Sequence, residues 1–237
     1  MNLLQLELGN NMGRQAIDIF YDDAYEEVMG TGLIGKYWQL IHRQIEKLVR
    51  PTPESIVLEI GAGHGQHFDQ TNPVSLLYIE TDIRESMGYE VGLSKKDLNL
   101  TGRIKRVANA ENLSVIPDSS VDSVVVTCVL AHLTNPDVAL AEWRRILKIG
   151  GNLVVYIPCE PGLILRMVRF FTTRRKFKRF GVRQQNLHWL EHRNHFLYLK
   201  LLTQGVFKGD RVRFFKHPFA LLPWDCNLYY ILSVVKV

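Results

Sequence analysis

Cysteine is scarce in this 237-residue chain, which holds only Cys128, Cys159 and Cys226. They are odd in number and far apart. No disulfide framework and no metal-ligand spacing can be read from them, so buried thiols in a reducing, cytoplasmic setting are expected. Long apolar runs are also missing. No stretch reaches the roughly 18 consecutive apolar residues of a membrane-spanning helix. Met1–Asn11 lacks the basic start and apolar middle of a secretory signal, and none is expected. Internal repeats and low-complexity tracts are absent.

What is present is 46% hydrophobic residues and a net charge of +5, enough apolar material for one larger single-core domain. The charge is unevenly spread. Pro161–Arg183 carries Arg166, Arg169, Arg174, Arg175, Lys176, Lys178, Arg179 and Arg183 and no acid, leaving 21 basic against 24 acidic residues elsewhere. A mildly acidic domain with one basic insert is implied, not a uniformly basic binder of nucleic acid.

Strand and helix patterns alternate. Ile34–Val49 places apolar residues at helical spacing, and Arg50-Pro51-Thr52-Pro53 stops it. Strands are predicted over Ile56–Ile60, Leu76–Thr81, Ile104–Ala108 and Leu153–Ile157, and a further one within Val121–Leu130. Helices are predicted from about Gln66, over Ile83–Gly92 and over Asp137–Lys148, with Gly150-Gly151 just past the last one's end. After Pro158 the alternation breaks. Phe196–Phe207 then reads as a helix, and Arg211–Phe215 and Leu228–Val237 as closing strands. The expected fold is α/β, a doubly wound parallel sheet. One domain spans 1–237: a helical cap to residue 50, a core over 55–157, a basic and aromatic lid insert over 161–195, and a closing helix and strands over 196–237.

The most informative segment is Glu59-Ile60-Gly61-Ala62-Gly63-His64-Gly65. An apolar strand runs into glycines at alternate positions, where a side chain would obstruct a ligand or disturb a tight turn. A dinucleotide fingerprint, G-x-G-x-x-G, needs glycine at position 66, and Gln66 stands there. An acid followed by G-x-G-x-G instead resembles motif I of the class I S-adenosylmethionine-dependent methyltransferases, in particular their ubiquinone-biosynthesis-like, type 11 branch. Asp82-Ile83-Arg84-Glu85-Ser86-Met87 resembles the family's D-x-S-x-x-M stretch. Asn109-Ala110-Glu111-Asn112-Leu113 resembles D-A-E-x-L, with Asn where the family usually has Asp. Val129-Leu130-Ala131-His132-Leu133 resembles V-L-H-H-L, and Glu142 to Gly151 resembles E-x-x-R-V-L-K-P-G-G. The resemblance implies a Rossmann-like sheet of seven strands, mostly parallel with an antiparallel C-terminal strand. It also implies S-adenosylmethionine as cofactor. Glu59, Gly61, Ala62, Gly63 and Gly65 would form its loop. Asp82 with Ile83 would take the ribose, with Glu80 as the fallback, and Asn109, Ala110 and Glu111 would border the adenine. Ten residues separate Gly65 from Leu76, so the intervening helix must be short.

Three histidines are candidates for the acceptor side. His132 follows the fourth strand, at the edge where ligands bind in such sheets, and is the first choice for a base. His192 and His195 lie in the cluster His188-Trp189-Leu190-Glu191-His192-Arg193-Asn194-His195. That cluster resembles a stretch in methyltransferases of bacterial surface-glycan synthesis and is read as holding no metal. Tyr21, Tyr25 or Trp38 is expected near the methionine end of the cofactor or the acceptor. The expected acceptor is a small molecule, a hydroxyl of a sugar or glycan precursor carried on a phosphate or diphosphate. The basic insert would clamp that group or meet an anionic membrane surface from the cytoplasmic side. Methylation of a lipid or quinone at the membrane is an alternative. Two other classes stand beside it: a non-catalytic partner subunit with a cofactor fold, and a nicotinamide oxidoreductase that Gln66 disfavours.

Overall fold

A computed structural model describes residues 25–85, 88–172 and 192–237. Two helices, α1 (Tyr25–Met29) and α2 (Gly32–Val49), precede strand β1 (Ile56–Ile60). There follow α3 (Gln66–Thr71), β2 (Leu77–Asp82), β3 (Gly102–Val107), β4 (Val121–Val126), α4 (Pro136–Ile146) and β5 (Leu147–Pro158). Then come α5 (Leu163–Thr172), α6 (Phe196–Val206), β6 (Arg211–His217) and β7 (Tyr229–Val235). The seven strands form one sheet in the order β3-β2-β1-β4-β5-β7-β6. Strands β1 to β5 are parallel, and β7 runs antiparallel to both β5 and β6. This is the α/β sheet that the alternating pattern implied, in the mostly parallel, seven-stranded, Rossmann-like form that the resemblance implied.

Each strand serves two layers because its side chains alternate. In β1, Leu58 and Ile60 join a core with Trp143 of α4 and Phe196 and Leu199 of α6. Val57, just before them and pointing the other way, joins the opposite core with Trp38, Ile41, Ile45 and Val49 of α2. Those helical residues recur every three or four positions, so one stripe of α2 is buried. Arg50 ends the helix in a left-handed conformation, its N–H bonded to the Glu46 carbonyl, just before Pro51.

Two local expectations need correction. Ile83–Gly92 is not helical at its described positions. Asp82 Oδ1 accepts the Arg84 N–H at 3.1 Å, a turn contact that competes with helix start. Gly88 and Gly92 then take φ of 75° and 82°, outside the helical region. The helix α4 ends at Ile146, because Leu147 is already extended (φ −66°, ψ 135°) and opens β5. Gly150-Gly151 is therefore inside the strand, where β4 and β5 shift register, and not at a helix end. The fourth strand lies within Val121–Leu130 as expected and stops at Val126, since Cys128 turns the chain with φ 61°. The insert beyond Thr172, with Arg174, Arg175, Lys176, Lys178, Arg179 and Arg183, lies outside the described residues, as do Tyr21, Ser86, Met87 and the stretch 188–191. No described helix is long and apolar enough to cross a membrane.

Candidate active site

The chain moves outward from β1 to β3 and then returns to β4 on the other side of β1. Ligands bind in open α/β sheets where the strand order reverses in this way. A cavity of about 500 Å³ opens there, at the carboxyl ends of β1, β2 and β4. That volume suits a drug-sized or cofactor-sized ligand.

The glycine loop shapes one wall. Gly61 has φ 68°, and a Cβ there would run into the Val129 side chain. Gly63 faces the cavity, with no protein atom within 4 Å of where a Cβ would stand. Gly65 differs. It does not line the cavity, and a Cβ there would strike the Arg103 guanidinium and the Glu80 carboxylate. Asp82 ties the loop down: its Oδ2 accepts the Gly63 N–H at 3.0 Å. The Tyr89 hydroxyl donates to the Gly63 carbonyl at 2.7 Å, and the Ala62 N–H to the Thr81 carbonyl at 2.9 Å.

The two acids of β2 have different surroundings. Asp82 lines the cavity. Glu80 is fully buried beneath it and paired with Arg103, at 2.9 Å from Nε and 2.8 Å from the terminal nitrogen. Glu59 lines the cavity floor and accepts the Tyr78 hydroxyl at 2.8 Å. Burial pushes its carboxyl up to about 7, only partly offset by His67 and the Tyr78 bond.

Ile83, Asn109, Ala110 and Glu111 also line the cavity. Ile83 is 68% exposed, an apolar face presented at the rim. Asn109 Oδ1 accepts the Glu111 N–H at 2.9 Å, closing a turn. The Ala110 carbonyl accepts the Trp143 indole N–H at 3.0 Å, which anchors the turn to α4. The Glu111 carboxylate binds the N–H groups of Thr134 and Asn135 at 2.7 and 2.9 Å. Burial works against its charge, but those donors hold its pKa below the usual range.

At the other end, His132 and His192 meet with ring centroids 4.4 Å apart and planes near perpendicular. His192 Nδ1 is bonded to the Glu160 carboxylate, which also pairs with Arg169 of α5. Burial lowers the His192 pKa, and Glu160 acts in the opposite sense. Cys128 lies beside both histidines. His195 is not brought here: it is exposed, occupies the N-cap of α6 and is absent from the cavity lining. Asn194 instead holds the segment, its side chain donating to the Leu133 carbonyl at 2.7 Å. Tyr25 and Trp38 line the cavity.

Several lining residues carried no usable signal in the sequence. His42 and His67 are buried with their Nδ1 atoms 3.0 Å apart, and His67 Nε2 lies 3.2 Å from Glu46. Burial brings the His42 pKa down to about 3, with His67 adding to the shift. His64, Cys128, Tyr156 and Arg169 line the same space, which holds five of the eight histidines. Only His64 had a local cue, its place inside the glycine loop. Buried His64 Nε2 and Thr127 Oγ1 have no hydrogen-bond partner among the described residues, so polar ligand atoms have waiting partners there.

Residues 58–155 match the family model described as "Methyltransferase domain". A ubiquinone/menaquinone biosynthesis C-methyltransferase of Psychromonas ingrahamii is 42% identical over 88 residues, 36% of this chain and 33% of that protein. One of Shewanella pealeana is 34% identical over 141 residues, 56% of this chain and 53% of that protein. A thiol S-methyltransferase of Rattus norvegicus is 34% identical over 113 residues, 46% of this chain and 45% of that protein. The chain thus spans from a third to about half of the length of these curated relatives. Among solved structures, a Thermotoga maritima methyltransferase dependent on S-adenosylmethionine aligns over 94% of this chain and all of that one, with TM-score 0.54 and 22% identity. A Haemonchus contortus phosphoethanolamine N-methyltransferase in complex with S-adenosyl-L-methionine aligns over 93% of this chain and 60% of that one, with TM-score 0.57 and 13% identity. At these identities the two structures bear on the fold alone.

Proposed function

We propose that this chain is a class I S-adenosylmethionine-dependent methyltransferase of the type 11 branch, a reading supported by the matching family model and relatives, and that it methylates a hydroxyl of a small acceptor, a sugar or glycan precursor. The chain's own residues fit the cofactor. Gly61 and Gly63 offer backbone without side chains, Asp82 offers a carboxylate at the strand end, and Ile83 with the 109–111 turn offers an apolar rim. When bound, S-adenosylmethionine supplies a methyl group already activated by its sulfonium. The protein need only align the acceptor and take its proton.

The observation that carries the hydroxyl reading is the chain of contacts from His132 to His192 to Glu160 at the cavity end. A hydroxyl attacking a methyl group must lose a proton. His132 takes it as the base, and His192 stands beside His132. Glu160 fixes the His192 ring, as a carboxylate does in other histidine pairs. Arg169 brings one cation of the basic insert to the cavity, in keeping with an acceptor that carries phosphate. On α5, Leu163, Met167, Phe170 and Phe171 are exposed, a face suited to an acceptor held at an anionic membrane surface. The whole chain acts in this reading as one methyltransferase domain.

A second reading is C-methylation of a quinol ring. The matched relatives named for ubiquinone and menaquinone biosynthesis favour it. The test is transfer of labelled methyl from S-adenosylmethionine to a panel of diphosphate-linked sugars and short-chain quinols, followed by mass spectrometry. Methylated sugar oxygen is the expected product, and His132→Ala should reduce its rate by roughly 10²–10⁴-fold. Methylation on quinol carbon with none on sugar would replace the first reading by the second. No calorimetric binding of S-adenosylmethionine would sink both.

A further inference from the structure

We propose that Cys128, His132 and His192 form a binding site for one soft divalent cation of the zinc type. Their candidate ligand atoms, a thiol sulfur and two imidazole nitrogens, all lie within 4.8 Å of one another. Ligand atoms around tetrahedral zinc stand about 3.5 Å apart, given bond lengths of about 2.0 to 2.3 Å. Small side-chain rotations close that gap, because Cys128 and His132 share one loop after β4 and the two imidazoles already touch.

The chemistry of the set is selective. One thiolate with two neutral imidazoles suits zinc or cobalt and disfavours magnesium and calcium, which take oxygen. The surroundings supply the outer layer that such sites need. Glu160 is bonded to His192 Nδ1, so Nε2 is the nitrogen a cation would take, in the arrangement of carboxylate, histidine and metal found around bound zinc. Arg169 pairs with that carboxylate in turn. Three protein ligands leave a fourth position, and it faces the cavity. On binding, the Cys128 thiol gives its proton to solvent and its sulfur bonds to the cation; nothing is oxidised or reduced.

The consequence rests on the proposed base. A cation on the two histidines occupies the nitrogens that would receive the acceptor proton, so an occupied site cannot use them as a base. Zinc should therefore inhibit methyl transfer, and a chelator should restore it.

The test uses the full chain, freed of metal with a chelator and titrated with Co²⁺, then with Zn²⁺ in competition. One cobalt per chain is expected, with the charge-transfer band of a thiolate–cobalt bond. Cys128→Ser should abolish that band. Cys226→Ser should retain it, since Cys226 lies in a separate 3₁₀ turn, Trp224–Cys226. Glu160→Gln should weaken zinc binding by about 10–100-fold. Thermal melts of each variant establish that it folds. A thiolate band that survives Cys128→Ser, or no saturable binding by the folded wild-type chain, overturns the proposal. Binding of S-adenosylmethionine, measured by calorimetry on the metal-free chain, reports on the methyltransferase reading separately.

Discussion

Replacing Asp82 by Asn tests how the cofactor loop is held and which acid of β2 serves the ligand. The Asp82 carboxylate accepts two backbone N–H groups, Gly63 at 3.0 Å and Arg84 at 3.1 Å. Hydrogen bonds to a charged group contribute about 1.5–3 kcal/mol each. Asn keeps one carbonyl oxygen and turns an amino group toward the other N–H, so about 2 kcal/mol of loop order is lost. Loss of the charged acceptor for ribose hydroxyls adds a similar amount. The combined effect is about 3–4 kcal/mol, or roughly a 10²–10³-fold weaker affinity at 1.4 kcal/mol per tenfold. Titration calorimetry with S-adenosylmethionine measures it. Glu80→Gln is the control. It removes the buried charge facing Arg103 and should lower the melting temperature, while affinity changes little because Glu80 does not reach the cavity. Unchanged affinity in Asp82→Asn, with a large loss in Glu80→Gln, would refute the assignment and move the ribose contact to Glu80.

Three further outcomes can be checked independently. Glu160→Gln should lower the His192 pKa further, read by NMR titration of the imidazole, because burial lowers that pKa and the Glu160 carboxylate opposes the shift. An unchanged or raised pKa argues against the Glu160–His192 pairing. His42 has a folded-state pKa of about 3 against 6.5 unfolded, so the unfolded chain binds a proton first as pH falls. Its contribution to stability is complete above about pH 6.5 and is lost between there and pH 3, on the order of a few kcal/mol. Denaturant melts should show a shallower acid slope in His42→Gln than in wild type. Gly65→Ala should destabilise the fold by about 2–4 kcal/mol, since its Cβ meets the Arg103–Glu80 pair in a left-handed backbone. Gly63→Ala should cost only about 1–2 kcal/mol in stability yet impair cofactor binding, because its Cβ enters the cavity. Equal melting temperatures for the two variants would show that the distinction is wrong.

The residues gathered at the glycine-loop end of the cavity could be named from sequence because each part is local. Glu59 to Gly65 joins a strand to the loop that follows it, and Asp82 with the 109–111 turn repeats that arrangement at the next strand ends. Alternation of strand and helix then places all three at one edge of the sheet. Even so, local reading could not separate Asp82 from Glu80. Both point the same way along β2, and only the position of Arg103 shows that Glu80 is spent on a buried ion pair. Nor could it give Gly65 its actual role, which is room for that pair.

The other half depended on tertiary structure. Cys128 and His132 follow β4, Glu160 follows β5, Arg169 lies on α5 and His192 precedes α6. Nothing in their spacing joins them, and Cys128 in particular has the spacing of an unremarked buried thiol. Sheet order brings β4 beside β5 and thereby brings their carboxyl ends together. The same convergence leaves His195, three residues from His192, outside on the N-cap of α6. Motifs confined to a strand and its loop fixed by themselves which cofactor the chain is built to bind. Which other side chains line the cavity was decided by packing between segments far apart in the chain, since long-range contacts follow from the order of strands in the sheet and not from intervals along the sequence.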